Sequence, residues 1–71
     1  MELENRVREL RARFDLTQGS LGEQVGVTRQ TIAAIEKGDY TPSLILALKI
    51  CETFHLKMEE VFWLEKGAET E

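Results

Sequence analysis

Apolar residues recur along the chain at spacings of three and four, which predicts a series of short amphipathic helices. Val7, Leu10 and Phe14 are the first such set, and they place one buried stripe on a helix from about Arg6 to Phe14. Asn5 precedes this helix and is its predicted N-cap. The N-terminal part of the chain is therefore expected to be helical and to face a core on one side.

The stretch from Thr17 to Gly38 is predicted to contain two further helices joined by a tight turn. Thr17 and Thr28 can each cap a helix, because a threonine hydroxyl accepts hydrogen bonds from the free N–H groups of a first turn. Gly26 ends the first of these helices, since glycine adopts the positive φ that a sharp turn requires. Val27 is expected to fill the turn, which is about three or four residues long and forces a sharp crossing.

The second helix of this pair, about residues 29–37, has large apolar side chains on one face only. Ile32 and Ile35 form its buried stripe, and no bulky apolar residue lies on the outer face, where Thr31, Ala33 and Ala34 are all small. A helix with such a face can enter a groove. An ordinary small helical domain with a sharp turn is the alternative interpretation.

Two more helices are predicted in the C-terminal half. Ser43 caps a helix from about Leu44 to Phe54, and we expect His55 to end it in a left-handed conformation. The predicted core stripe of this helix consists of Leu44, Ala47, Ile50, Cys51 and Phe54. A short last helix, about Met58 to Trp63, is expected to place Val61 and Phe62 on the core.

Length and composition limit the class of protein. Seventy-one residues allow one domain with a modest core, predicted here over residues 1–66 and followed by a polar acidic tail over residues 67–71. The charged N-terminus is unlike a signal peptide, and there is no run of about 18 apolar residues. A single cysteine excludes an internal disulfide and fits a reducing compartment, so we predict a cytoplasmic protein.

The formal net charge of −4 at first argues against a nucleic-acid partner. However, residues 1–57 contain eight Lys or Arg and eight Asp or Glu, whereas residues 58–71 contain five Glu and one Lys. The net acidity therefore lies in the C-terminal segment. Because the local field decides phosphate attraction, the rest of the chain can still carry a basic face.

The central stretch resembles the Cro/repressor-type (XRE-like) helix-turn-helix family through the pattern TQ-x-x-L-x-x-x-x-G-V-x-x-x-T-I-x-x-I-E-K-G, and the run TPSLILALKICETFHLKMEEVF extends the resemblance from about Asn5 to Phe62. It implies an all-α, compact five-helix, lambda-repressor-like DNA-binding domain, with residues 17–38 as the helix-turn-helix and about 29–37 as the recognition helix. The chain is most similar to the small stand-alone members. Some of these pair a C-terminal strand with the N-terminus, as Leu3 and Phe62–Glu65 could do here.

The chain departs from the family at three positions of the helix after Thr17. The family usually has acidic residues at 19 and 20 and alanine at 22, where this chain has Gly19, Ser20 and Gly22. The usual capping-box glutamate is therefore missing, and each mid-helix glycine costs about 1 kcal/mol relative to alanine. We expect this helix to depend on tertiary packing.

The resemblance places Arg29 and Gln30 at the start of the recognition helix, where side chains reach the major groove. Arginine can bind guanine O6 and N7, and glutamine can bind adenine N6 and N7. Ala34, one turn further along, could touch a thymine methyl group. A solvated charge or a phosphate contact is the alternative for Arg29. The predicted DNA-backbone contacts are Gln18, Thr28, Thr31, Lys37 and Tyr40, and loop packing is an equal alternative for Tyr40.

The family also pairs an arginine of the first helix with a glutamate at the end of the recognition helix. Arg11 and Glu36 occupy these positions, so we predict an ion pair that holds the recognition helix and reads no base.

Assembly is predicted from apolar residues that exceed what so small a core should bury: Ile45, Leu46, Met58, Trp63 and Leu64. We expect a homodimer, because two half-sites one helical turn apart multiply affinity. Ile45, Leu46, Trp63 and Leu64 are the predicted interface residues. The alternative for Trp63 is that it covers the core of a monomer.

The predicted function is sequence-specific binding of double-stranded DNA by a transcription regulator, a repressor that occupies a two-fold symmetric operator as a homodimer. A protein-binding module, antitoxin-like or coactivator-like, is the alternative, because fold does not fix function. An enzyme is not expected: the only cysteine, Cys51, lies on the core stripe, although His55 is four residues away. The sequence offers no CxxC and no second histidine for a metal, and it predicts no cofactor or small-molecule ligand.

Overall fold

A computed structural model of the chain describes residues 2–65. The elements in chain order are β1 (Glu2–Asn5), α1 (Val7–Arg13), α2 (Gln18–Val25), α3 (Arg29–Lys37), α4 (Leu44–Phe54), α5 (Met58–Val61) and β2 (Phe62–Glu65). The predicted five-helix architecture is confirmed, and so is the pairing of short terminal strands. The tail predicted over residues 67–71 lies outside the described residues.

The first turn of α2 is closed by a reciprocal pair of hydrogen bonds. The Thr17 hydroxyl accepts from the Ser20 backbone N–H at 2.9 Å, and the Ser20 hydroxyl accepts from the Thr17 N–H at 2.9 Å. The family's usual glutamate is absent here, but a capping box still forms, because the Ser20 hydroxyl accepts the hydrogen bond that a glutamate carboxylate would accept.

A close approach of backbone explains the glycine in the middle of α2. A Cβ added at Gly22 would lie 2.6 Å from the carbonyl oxygen of Val27, which belongs to the turn before α3. The Gly22 carbonyl also accepts from the Val27 N–H at 2.9 Å. Glycine thus lowers the helix propensity of α2 but lets the turn pack directly against it.

Three helices have a C-cap residue with positive φ, and a fourth positive φ occurs two residues after the end of α1. Gly26 and Gly38 both have φ near 84°, as the turn after α2 and the end of α3 require. His55 has φ of 58°, which confirms its predicted left-handed conformation. Asp15 follows α1 with φ of 57°, a feature that the sequence did not indicate.

The core is built from the inner faces of the helices and the start of β2. The buried apolar residues are Val7, Leu10, Leu21, Val25, Ile32, Ile35, Leu46, Ala47, Ile50, Cys51, Phe54, Val61 and Phe62.

Two predicted core positions are exposed instead. Leu44 lies in the first turn of α4, where it is exposed, and Leu46 takes its place because it precedes Ile50 by four residues on the same side. Phe14 follows the end of α1 and remains exposed, although its ring meets Phe54 edge-on at a centroid distance of 5.2 Å.

Both ends of the chain differ slightly from the prediction. The last helix ends at Val61 because Phe62–Glu65 extend into β2, which pairs antiparallel with β1 in the register Glu2 to Glu65 and Asn5 to Phe62. Asn5 is the last residue of β1 and not the N-cap of α1. The Arg6 backbone holds the N-cap position, while Asn5 Oδ1 accepts from the Val7 N–H at 3.0 Å.

Candidate nucleic-acid interface

Helix α3 is held with its first turn exposed. The Thr28 hydroxyl caps it by accepting from the Thr31 N–H at 3.2 Å, and on the opposite side Ile32 and Ile35 are buried. Arg29 and Gln30 are exposed at the start of the helix. The two side chains predicted to read bases are therefore free to meet a partner.

The outward stripe of α3 follows from helical spacing. Ala33 and Ala34 lie three and four residues after Gln30, and Lys37 lies seven residues after it, so all four share one side of the helix. Both alanines are half-buried, and Lys37 is exposed. Ala33 and Ala34 thus share the outer face on which the sequence placed them both, although only Ala34 was predicted to contact a base.

The predicted pair of Arg11 and Glu36 is present and is bidentate. Arg11 Nε donates to Glu36 Oε2 at 2.6 Å, and Arg11 Nη2 donates to Oε1 at 3.1 Å. The remaining guanidinium nitrogen, Nη1, donates to the Leu16 carbonyl oxygen at 3.0 Å. One arginine therefore joins α1, the loop before α2 and the last turn of α3.

Glu36 raises the pKa of Arg11, chiefly by the hydrogen bond, although burial of the guanidinium opposes the effect. Arg11 is therefore cationic at neutral pH, so its side of the ion pair keeps its charge there.

Gln18 adds a third member to this network. Its Nε2 donates to Glu36 Oε1 at 3.2 Å, which ties the first residue of α2 to α3. Gln18 was predicted to contact DNA backbone. The structure assigns one of its amide N–H groups to Glu36, and it remains half-buried.

A shallow surface groove runs between α1, the N-terminus of α2 and the start of α3, and its lining residues are Arg11, Leu16, Thr17, Gln18, Gly19 and Arg29. The first N–H groups of α2 and the Arg29 guanidinium border the same groove. Both favour a negatively charged group, because a helix N-terminus carries positive partial charge.

The other predicted backbone contacts differ in their surroundings. The hydroxyls of Thr28 and Thr31 lie 3.1 Å apart and hydrogen-bond to each other. Lys37 Nζ is 3.8 Å from Asp39 Oδ2 in an exposed ion pair. Such a pair is weak, so Lys37 can exchange Asp39 for another anion at little cost. Tyr40 is half-exposed and lines a groove between β1 and the loop that follows α3.

The residues predicted to form a dimer interface fall into two groups. Ile45 on α4 is exposed, as are Trp63 and Leu64 on β2. Leu46 is buried, and Met58 packs half-buried against the core. The inclusion of Leu46 among the surplus apolar residues was therefore wrong, because the core buries it, whereas Met58 is buried only in part.

Cys51 has the environment of a structural thiol. It is buried, its Sγ lies 3.9 Å from Met58 Sδ, and burial raises its pKa, so the thiol is protonated at neutral pH. Within residues 2–65 no group of three or more His, Cys, Asp or Glu is placed to hold a metal ion. No helix in this part of the chain is long and apolar enough to cross a membrane.

A capped, outward-facing α3 set across α2 by a glycine turn defines a helix-turn-helix domain. Residues 7–61 match a family model described as helix-turn-helix. The chain is 70% identical over 64 residues to the HTH-type transcriptional regulator YgzD of Bacillus subtilis, covering 90% of this chain and 97% of that protein. It is 49% identical over 63 residues to an HTH-type transcriptional regulator of Methanocaldococcus jannaschii, covering 89% and 96%.

Among solved structures, the restriction-modification controller protein C.AhdI from Aeromonas hydrophila has the same fold, with a TM-score of 0.72, 31% identity, and coverage of 78% of this chain and 83% of that one. The chain therefore belongs to the Cro/repressor-type helix-turn-helix family of DNA-binding transcriptional regulators.

Proposed function

We propose that this protein binds one particular double-stranded DNA sequence as a homodimer and represses transcription by occupying a two-fold symmetric operator. The exposure of Arg29 and Gln30 at the capped start of α3, opposite the buried Ile32 and Ile35, is the observation that carries the proposal. Such a helix end can enter a major groove, while the core holds its axis at a fixed angle.

Base contacts are assigned to Arg29, Gln30 and Ala34. The first two have the donors and acceptors that distinguish guanine and adenine edges, and the methyl side chain of Ala34 suits a thymine methyl group. Contacts to phosphate are assigned to Gln18, Thr28, Thr31, Lys37 and Tyr40, which border the start or the end of α3. Arg11 and Glu36 hold the helix and read no base.

Repression fits the architecture of the described residues. Every helix between residues 2 and 65 belongs to the helix-turn-helix fold, and a chain bound through it at an operator can exclude a polymerase from that DNA. The exposed apolar side chains of Ile45, Trp63 and Leu64 supply surface for a second copy.

Selection from a random duplex pool tests sequence-specific binding. The wild-type chain should select a two-fold symmetric site, and Arg29→Ala and Gln30→Ala should each relax the preference at a different position, by about 1–3 kcal/mol. Lys49→Ala is the matched control, since it removes an exposed positive charge from α4. It should leave the base preferences unchanged.

Salt dependence separates this proposal from a protein-binding role. Affinity for DNA should fall steeply as salt rises, and Lys37→Ala should reduce that slope by about one. Uniform weakening by Arg29→Ala and Gln30→Ala, with preferences intact, would reassign both to phosphate. The absence of specific duplex binding by the wild-type chain at any salt concentration would favour the adaptor function instead.

A further inference from the structure

We infer that Asn5 is a positioning residue for the recognition helix, through a hydrogen bond from the terminal sheet to the last turn of α3. Its Nδ2 donates to the carbonyl oxygen of Ile35 at 3.0 Å, across thirty positions of sequence. This inference rests on the proposed DNA-binding function, because the position of α3 matters only if that helix reads a partner.

The backbone of Asn5 is fixed by the strand pair. Asn5 lies opposite the buried Phe62 in the sheet, and the next residue, Arg6, donates its N–H to the Val61 carbonyl oxygen at 3.1 Å. The strand pair therefore fixes the backbone from which the Asn5 side chain extends. The hydrogen bond then holds the Ile35 carbonyl at a set distance from the sheet.

The chemistry of the two contacts requires an amide. The carbonyl of Ile35 only accepts, so the atom facing it must donate, whereas the N–H of Val7 needs the acceptor Oδ1 at 3.0 Å. Asparagine supplies both groups on one short side chain. Aspartate has the same shape, but it would place a carboxylate against a carbonyl at the negative end of the α3 dipole.

Two neighbouring residues of α3 are thus held by two different elements. Asn5 at the end of β1 holds Ile35 through its backbone, and Arg11 of α1 holds Glu36 through its side chain. Because each tie acts on the last turn, together they fix the direction in which the exposed first turn points.

The experiment compares Asn5→Asp and Asn5→Ala with the wild-type chain on the duplex selected by the wild-type chain. Asn5→Asp keeps the acceptor for Val7, removes the donor to Ile35 and adds a negative charge, whereas Asn5→Ala removes both groups without adding charge. Ile50→Val is the matched control, since it weakens the buried core at α4 and changes neither of the groups that hydrogen-bond to the Asn5 side chain. All variants are measured at a temperature at which circular dichroism shows them folded.

Asn5→Asp should weaken binding about tenfold, as expected for one lost hydrogen bond that orients the helix. It should also change the relative preferences among base pairs, which a loss of stability alone would not do. Ile50→Val should keep both affinity and preferences. Wild-type affinity and preferences in the folded Asn5→Asp chain would overturn the inference, and so would an equal loss in Ile50→Val.

Hydrogen exchange provides a readout that does not require DNA. The backbone N–H groups of Gly38 and Asp39 close the end of α3 on Ile35 and Ala34 at 3.0 and 2.9 Å. They should exchange faster in Asn5→Asp than in the wild type, and unchanged exchange would contradict the role of Asn5. If the wild-type chain binds no duplex while this acceleration is seen, the proposed function fails and the tie from Asn5 stands.

Discussion

Two arginine–carboxylate pairs in this domain have similar distances but very different environments. Arg11 and Glu36 meet at 2.6 Å with side chains 16% and 6% exposed, whereas Arg13 and Glu9 meet at 2.7 Å with side chains 64% and 52% exposed. Water and ions screen the exposed pair, but they reach the partly buried pair less well. The partly buried pair should therefore stabilise the fold, while the exposed pair should contribute little.

A double-mutant cycle on each pair tests this difference. Glu36→Ala should lower the free energy of unfolding by about 3 kcal/mol, because it leaves the Arg11 guanidinium without its partner in a partly buried place. Glu9→Ala should change it by no more than about 0.5 kcal/mol. Urea denaturation followed by circular dichroism gives both values, and Arg11→Ala and Arg13→Ala complete the cycles.

The outcome also decides the role of Glu36. If Glu36→Ala left stability unchanged but abolished DNA binding, its structural role would be wrong and a direct role in recognition would replace it. A coupling energy for Arg11 and Glu36 no larger than that for Arg13 and Glu9 would likewise contradict the argument from burial.

The sequence predicted some of these side-chain contacts and missed others for a physical reason. The Arg11–Glu36 pair was predicted through the family pattern, and the caps at Thr17, Thr28 and Ser43 follow from local chemistry. The bond from Asn5 to Ile35 joins a side chain to a backbone carbonyl thirty residues away. Any residue has that carbonyl, so no sequence pattern can indicate it.

At the scale of secondary structure, the helices end on different residue types even where the backbone conformation is the same. Three helices have a C-cap residue with positive φ, but only two of these residues are glycine. After α4, His55 holds the left-handed conformation with its N–H bonded to the Glu52 carbonyl oxygen at 3.1 Å, and the Leu56 N–H bonds to the Cys51 carbonyl oxygen at 3.1 Å. Histidine carries a steric cost there that glycine would not.

His55→Gly should stabilise the domain by about 1 kcal/mol, because glycine removes the clash between Cβ and the backbone in the left-handed region. His55→Ala is the control, since it removes the exposed imidazole but keeps the Cβ, and it should change stability little. Thermal unfolding followed by circular dichroism measures both. Equal stabilisation by alanine and glycine would show that the imidazole, and not the backbone conformation, is the source of the cost.

The spacing of apolar residues does not predict where α5 ends and β2 begins. Val61, Phe62, Trp63 and Leu64 form a short apolar run, and such a run fits a helix or a strand equally well. Pairing with β1 decides the outcome, because Phe62 becomes buried in the strand and stays opposite Asn5. The helix was predicted two residues too long because that partner strand lies at the other end of the chain.

On the scale of the described residues as a whole, the acidic helix α5 and the recognition helix α3 pack on different elements. Helix α3 packs mainly on α2, whereas α5, which carries Glu59 and Glu60, packs on α4 and β2. The formal net charge of −4 is therefore compatible with the proposed DNA contacts of Arg29 and Lys37. Local charge near α3, and not the total, should govern attraction to phosphate.

Self-association depends on the exposed surface of the molecule. The two-stranded sheet formed by β1 and β2 is the best candidate for a dimer interface. Trp63 and Leu64 are 38% and 56% exposed on a two-stranded sheet, and the Arg6 guanidinium covers the Trp63 ring at 5.3 Å from its centroid. A short sheet that exposes apolar side chains loses unfavourable contact with water when a second copy covers it. We therefore expect Leu64→Glu to shift the protein from dimer to monomer.

Sedimentation equilibrium at micromolar concentrations measures this shift directly. Ile45→Glu should weaken the dimer as well if α4 belongs to the same interface, and wild-type association in that variant would confine the interface to β2. Tyr40→Glu is the matched control, because Tyr40 has comparable exposure but follows the recognition helix. It should leave the mass unchanged. A wild-type chain that sediments as a monomer would refute the dimer, and Trp63 would then serve to cover the core of a single domain.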